Sequence, residues 1–136
     1  LMKTIVLLKY RLYLSIRKIM QTPSNITLNK DKNLLTLTFE GIDYPLSAEF
    51  LRVYSPSAEV VGHGPGQETL QLDKENVKID RITPTGNYAI ILFFSDGHDS
   101  GIYSWSHLHK LAINQESLWT TYLKRLKDAG HSHTQL

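Results

Sequence analysis

From Ile26 onward, apolar and polar positions alternate with a period of two. Ile26-Thr27-Leu28-Asn29 does so, and Leu35-Thr36-Leu37-Thr38-Phe39 does so again. Asp31-Lys32-Asn33 supplies turn residues between them, so the pattern predicts a β-hairpin with one buried face. A short strand follows Gly41 at Asp43–Leu46. Ser47 can cap a helical turn over Ala48–Tyr54 that gathers Phe50, Leu51 and Tyr54 on one face and stops at Pro56. Val77–Ile82 alternates and predicts another strand, and Pro84-Thr85-Gly86-Asn87 reads as a turn. Tyr88–Phe94 is nearly all apolar, which predicts a central strand buried on both faces. Asp96-Gly97 turns the chain into an extended segment near Gly101–Trp105. The periodicity then becomes helical over Trp105–Ile113 and again over Gln115–Ala129, where Leu118, Trp119, Tyr122, Leu123 and Leu126 share one side. Gly130 suits the position just past a helix, and His131–Leu136 is expected to fray. Strands first and helices last predict an α+β domain, a small antiparallel sheet with C-terminal helices packed on it.

Composition adds limits. At 136 residues, with 41% hydrophobic and 21% charged positions, the chain fits one ordinary folded domain. With no cysteine, it has no disulfides, no thiolate ligands for iron–sulfur clusters or zinc, and no thiol nucleophile. The net charge of +2 is uneven. Residues 1–20 carry Lys3, Lys9, Arg11, Arg17 and Lys18 and no acid, so the body from 21 onward is net −3. A mildly acidic body argues against a nucleic-acid binder. The basic leader, 1–20, is expected to be extra sequence ahead of a start at Met20. The alternatives are an interfacial amphipathic arm and a cleaved signal. It is too short and too charged to insert stably across a bilayer. The expected fold is a single domain over 21–130, followed by the tail 131–136.

Two segments carry candidate chemistry. Ser95-Asp96-Gly97-His98-Asp99-Ser100-Gly101 places two carboxylates and a histidine just past the most apolar strand. His98 can ligate a metal or move a proton with Asp96 or Asp99 orienting its ring, or it can serve as an ordinary turn residue. Gly62-His63-Gly64-Pro65-Gly66 could form an anion nest, but it lacks the Lys-Ser/Thr ending of a P-loop, and a tight loop explains its glycines. His63 and His98 could share a metal, with Glu59 or Asp99 completing the shell. His107 and His109, two apart on a helix, point to different faces and cannot chelate together. No nucleophile elbow and no H-E-x-x-H helix is present. Tyr88, Tyr103, Trp105 and Trp119 are expected to be core rather than a binding face.

Leu51-Arg52, Ser55-Pro56-Ser57-Ala58-Glu59-Val60, Gly62-His63-Gly64-Pro65-Gly66, Gly86-Asn87-Tyr88-Ala89 and Asp96-Gly97-His98-Asp99-Ser100-Gly101-Ile102-Tyr103-Ser104-Trp105 occur in this order. Together they resemble the gamma-butyrobetaine hydroxylase-like N-terminal domain family over roughly Thr22–Gly130. The resemblance implies a small α+β domain with an antiparallel sheet. In some relatives that domain precedes an iron/2-oxoglutarate dioxygenase domain and binds structural zinc; in others it is attached to an iron–sulfur scaffold ATPase. Neither partner domain lies in these residues, so neither activity transfers with the resemblance. The zinc-binding relatives use a Cys-x-Cys-x-x-Cys run and the histidine of Asp-Gly-His. Here those positions are Ser55, Ser57, Val60 and His98, so no zinc is expected, and His98 is expected either to pair with His63 or to bond Ser55 or Ser57. The expectation is a cytoplasmic, non-catalytic accessory domain with no cofactor that docks on a protein partner, which the resemblance places in the iron–sulfur assembly machinery. Its surface would be Arg52, Ser55, Ser57, Asp99 and Trp105 around His98 and His63. The alternative is a small metal-binding protein or metal-dependent enzyme holding zinc or iron on His63 and His98.

Overall fold

The computed structural model describes residues 22–136 together with Leu8, Lys9 and Arg11. The rest of the predicted leader lies outside the described residues. Among the described residues the strands are β1 (Asn25–Leu28), β2 (Leu34–Phe39), β3 (Ile42–Ser47), β4 (Ile79–Thr85), β5 (Ala89–Phe94) and β6 (Ile102–Ser104). The helices are α1 (Ala48–Val53) and α2 (Ala58–Val61), between β3 and β4, then α3 (Trp105–Ile113) and α4 (Gln115–Asp128) after β6. The class is α+β, as the pattern predicts, but the strands divide into two antiparallel sheets, β1-β2-β3 and β4-β5-β6. The segment from 62 to 78 separates them in sequence. Between them runs a backbone bond from the Ile79 N–H to the Lys32 carbonyl at 2.8 Å.

Alternation positions the core. Leu35, Leu37 and Phe39 of β2 point inward and Leu46 lies opposite Leu35, all at or below 1% exposure. The β2–β3 turn places Glu40 and Gly41 at φ 53° and 78°, the left-handed pair that matches strand twist in a two-residue hairpin. Asn29 Oδ1 accepts from the N–H groups of Asn33 and Leu34 and so fixes the β1–β2 loop. Ser47 Oγ accepts from the Phe50 N–H and starts α1, all six residues of which are buried, Glu49 and Arg52 included. Each large apolar side chain so buried contributes roughly 1.5–3 kcal/mol.

Strand β5 departs from expectation. Ile90, Leu92 and Phe94 face the core, but Ile91 and Phe93 are only partly buried and Tyr88, outside the strand, is 58% exposed. The strand is covered on one face, not two. On its outer face the Arg81 guanidinium lies 4.1 Å from the Phe93 ring centroid, and exposed Ile102 pairs with Ile91. Tyr103 joins the core as expected, and Trp105 and Trp119 pack against it partly buried. The predicted turn at 84–87 is also shorter, because β4 continues through Pro84 and Thr85.

Helix α4 ends as Gly130 suggests. Gly130 adopts φ 76°, its N–H bonds the Lys127 carbonyl, and the His131 N–H bonds the Leu126 carbonyl. This turn sends the chain back toward α1. The segment expected to fray is instead fastened, with His133 only 9% exposed, because it finds a buried carboxylate to bond. Among the described residues no helix is long and apolar enough to cross a membrane. The one-sided cover of β5 makes a contrast measurable by urea unfolding. Leu92→Ala is expected to cost about 2–5 kcal/mol, and Ile91→Ala roughly 1 kcal/mol or less; equal losses would mean that both faces are packed.

Candidate functional site

Three short segments meet at one corner. Gly97, at φ 89°, lets the chain turn after β5, with its N–H bonded to the Phe94 carbonyl, and so presents Asp96–Gly101. The end of α1 presents Arg52 and Ser55, since Pro56 prevents the helix from continuing. Helix α2 presents Ser57, Glu59 and Val60.

A continuous circuit of hydrogen bonds runs there from His98 through Ser55, Ser57 and Ser100 to Glu59. Ser55 Oγ lies 2.8 Å from His98 Nε2 and accepts from the Ser57 N–H at 3.2 Å. Ser57 Oγ lies 2.8 Å from Ser100 Oγ, which donates to Glu59 Oε1 at 2.7 Å. Glu59 Oε2 stands 3.9 Å from His98 Nδ1, close but beyond hydrogen-bond reach. We assign the imidazole proton to Nδ1, which faces the carboxylate, leaving Nε2 to accept from the Ser55 hydroxyl. Ser55, Ser57, Val60 and His98 are all at most 7% exposed. The packing leaves no slack. A β-carbon on Gly101 would come within 2.5 Å of Ser55 Oγ and 3.1 Å of the Tyr103 ring, so glycine is required there for space rather than for backbone freedom.

A layer of charge braces the circuit. The Arg52 Nε–H donates to Asp96 Oδ2 at 2.9 Å and its Nη1 donates to Gln71 Oε1. Lys74 Nζ donates to the same Asp96 oxygen, while Asp96 Oδ1 accepts from the His98 N–H. Burial raises the Asp96 carboxyl, but the bonds from Lys74, the His98 amide and Arg52 outweigh it and hold the group at about 2. Burial, reinforced by the Arg52 cation, holds His98 below its ordinary value, so the ring is neutral at pH 7. Glu59 is held low chiefly by its bond from Ser100.

The structure therefore joins Arg52, Ser55, Ser57 and His98. Asp96 orients the backbone of His98 and not its ring, and Asp99 lies exposed, outside this set of bonds. Trp105 starts α3, with its Nε1–H donating to the Asn87 carbonyl at 2.7 Å, away from the circuit. His63 is exposed in its glycine loop and makes none of these bonds. Gly62 there adopts φ 77°, where a side chain would collide with the Gln67 carbonyl, which accounts for the glycine. His107 bonds the Tyr54 carbonyl and His109 packs edge-on to Phe39, so the two diverge as their spacing predicts. Sequence reasoning missed Gln71, Lys74 and Ser100. Ser100 lay within the Asp-Gly-His segment, but Gln71 and Lys74 arrive from a loop with no distinguishing pattern.

Zinc, which the family resemblance implies for some relatives, does not fit this donor set. Two neutral hydroxyls, a valine methyl group and one imidazole stand at the corner, and Ser55 already bonds His98 Nε2. Among the described residues no three His, Asp or Glu side chains converge as a metal shell.

The sequence profile described as gamma-butyrobetaine hydroxylase-like, N-terminal, matches residues 26–109, more than half of the chain. The chain belongs to this family. Two solved structures similar to it, both determined by NMR in solution, are 49% identical. They cover 83% and 82% of this chain, and 90% and 84% of their own, with TM-scores of 0.73 and 0.69. A crystal structure of a protein of unknown function from Acidithiobacillus ferrooxidans, assigned to the DUF971 family, is 32% identical. It covers 68% of this chain and 94% of its own, with a TM-score of 0.54. No curated protein matches. Within the gamma-butyrobetaine hydroxylase-like N-terminal family, the match contains every residue of the corner circuit.

The buried histidines set a direction for stability against pH. His98, and likewise His107, held down mainly by burial, bind protons less readily when folded than unfolded. Their contribution is complete above the unfolded value of about 6.5 and is lost as pH falls below it. Urea midpoints are expected to drop from pH 7.5 to pH 5, with a shallower drop in His98→Gln; a flat profile would contradict neutral burial. Gly101→Ala should lower stability by about 1–3 kcal/mol through overpacking against Ser55, read from the same urea curves; an unchanged midpoint would show that the corner has room.

Proposed function

We propose that this chain is a non-catalytic recognition domain of the cytoplasm that docks on a protein partner, within iron–sulfur or metal-cofactor metabolism. One observation carries the non-catalytic part. Where zinc-binding relatives hold an ion, this chain holds a self-satisfied hydrogen-bond circuit around the Ser55–His98 contact. His98 Nε2, accepting from Ser55, has no lone pair left for a metal, and both side chains lack the access that metal or nucleophilic chemistry needs. Ser55, His98 and Glu59 stand in the order of a hydrolytic triad, yet Ser55 is 1% exposed and unreachable by a substrate. The partner class rests on the family resemblance, in which related domains accompany iron–sulfur scaffold proteins. Arg52, Ser55 and Ser57 then act as the frame that shapes the corner, with Asp99 exposed beside His98 in sequence. The competing reading, a metal shared by His63 and His98, gains nothing from the geometry, because Ser55 takes the buried nitrogen.

Elemental analysis of the untagged chain tests this. Zinc, iron and nickel are expected far below one equivalent, and the combined variant Ser55→Cys, Ser57→Cys, Val60→Cys is expected to retain one equivalent of zinc, with His98 as the fourth ligand. Stoichiometric metal in the natural chain would overturn the proposal. Purification from its own cells should bring iron–sulfur assembly proteins with it; their consistent absence would overturn the partner class.

A further inference from the structure

Three residues before Arg52, helix α1 buries a second charge. The Glu49 side chain is 9% exposed, and its Oε2 accepts from the Tyr122 hydroxyl at 2.7 Å and lies 2.8 Å from His133 Nε2. Tyr122 belongs to α4, which with Val53 and Leu126 forms a small core separate from the main one. His133 belongs to the tail. Its Nδ1 accepts from the Gln135 N–H, so the ring donates from Nε2 to the carboxylate. The ring also stands edge-on to Trp119 and Tyr122, with centroids at 5.7 Å and 6.2 Å.

We propose that His131–Leu136 occupies, in cis, a groove that accepts a short peptide bearing one imidazole or cationic side chain, and that the protein partner displaces it with such a segment. The inference rests on the recognition reading above and names where that recognition happens. The tail binds as a peptide ligand does, through side chains of other elements. His133 bonds Glu49, the Thr134 N–H and hydroxyl both bond Glu75, and Gln135 Oε1 accepts from Trp119 Nε1–H at 2.9 Å. His133 is its one buried residue, the other bonds are exposed, and Leu136 is 54% exposed. A segment with so little buried surface opens at low cost.

The groove also extends past its occupant. A cavity of about 140 Å³ lies between the tail's own 131–133 and a wall that includes Asp73, Lys74, Glu75 and Tyr122. Another of about 350 Å³, lined by Ser47, Phe50, Gln115, Glu116, Trp119 and Gln135, adjoins the far end of the tail. Asp73, Glu75 and Glu116 line these walls, and Lys74, the one cation lining them among the described residues, is engaged by Asp96. When the tail leaves, Glu49 keeps one donor, Tyr122. Any occupant that covers this carboxylate again strips it of water, so an occupant that brings a donor is favoured over one that does not.

Hydrogen exchange and NMR on the full chain test the proposal. In the natural protein the Trp119 indole N–H should exchange at least about tenfold faster than the Leu37 and Leu92 amides, through local opening of the tail. In His133→Ala the indole resonance should move while the core amides keep their dispersion. A synthetic peptide of residues 130–136 should return it to the natural position on saturation, and the same peptide with alanine in place of His133 should not. Indole exchange as slow as the core, an unmoved resonance in His133→Ala, or no response to the peptide would each overturn the inference. Should His133→Ala fail to fold, the exchange comparison in the natural chain still decides. Stoichiometric metal at the Ser55–His98 corner would end the preceding reading and leave these peptide results standing.

Discussion

A charge removed from water must be paired nearby, and one short helix here removes two. Helix α1 has six residues, none exposed, and carries Glu49 and Arg52 into the interior on little more than a turn of backbone. An unpaired buried charge costs several kcal/mol, so each dictates what must surround it. Arg52 draws in Asp96, Gln71 and, through Asp96, Lys74. Glu49 draws in Tyr122 and His133. The β5–β6 turn, the 62–78 segment, α4 and the C-terminal tail are thereby tied to one element. The hydrophobic core makes the sheets stable, but these pairings decide how the turn, the long loop and the tail lie on them.

The corner beside Arg52 is held by hydrogen bonds among neutral side chains and one carboxylate. A tetrahedral zinc centre needs soft or imidazole donors with free lone pairs. Serines at 55 and 57 keep polar atoms there, and those atoms bond inward, to His98, to Ser100 and to the backbone between them. Valine at 60 closes the remaining space. A metal links distant chain segments with one strong centre; this circuit links the same kinds of segment with several modest bonds of about 1 kcal/mol each.

Much of this was legible in the chain. Period-two alternation located β1, β2 and β4, Ser47 marked a helix start, and Gly130 marked the end of α4, because these signals arise from local sterics and capping. The meeting of Ser55 with His98 was visible only through the family motifs, since nothing local joins residues 43 apart. The sheet division was not visible, because alternation reports which face is buried and not which strand lies alongside. Tyr88–Phe94 misled because an apolar run describes composition, and Arg81 shields Phe93 where no second layer does. The tail misled for the opposite reason. Polar composition suggests fraying, but one histidine opposite a buried carboxylate outweighs it, and Glu49 gave no sign in the sequence that it would be buried.

The nitrogen-15 resonances of the His98 ring report most directly on whether protein or metal claims its Nε2 atom. With zinc added at one equivalent, the account predicts an unchanged neutral ring protonated at Nδ1, with Nε2 still accepting from Ser55. A zinc-dependent shift of the Nε2 resonance, together with loss of the Ser55 contact, would contradict it.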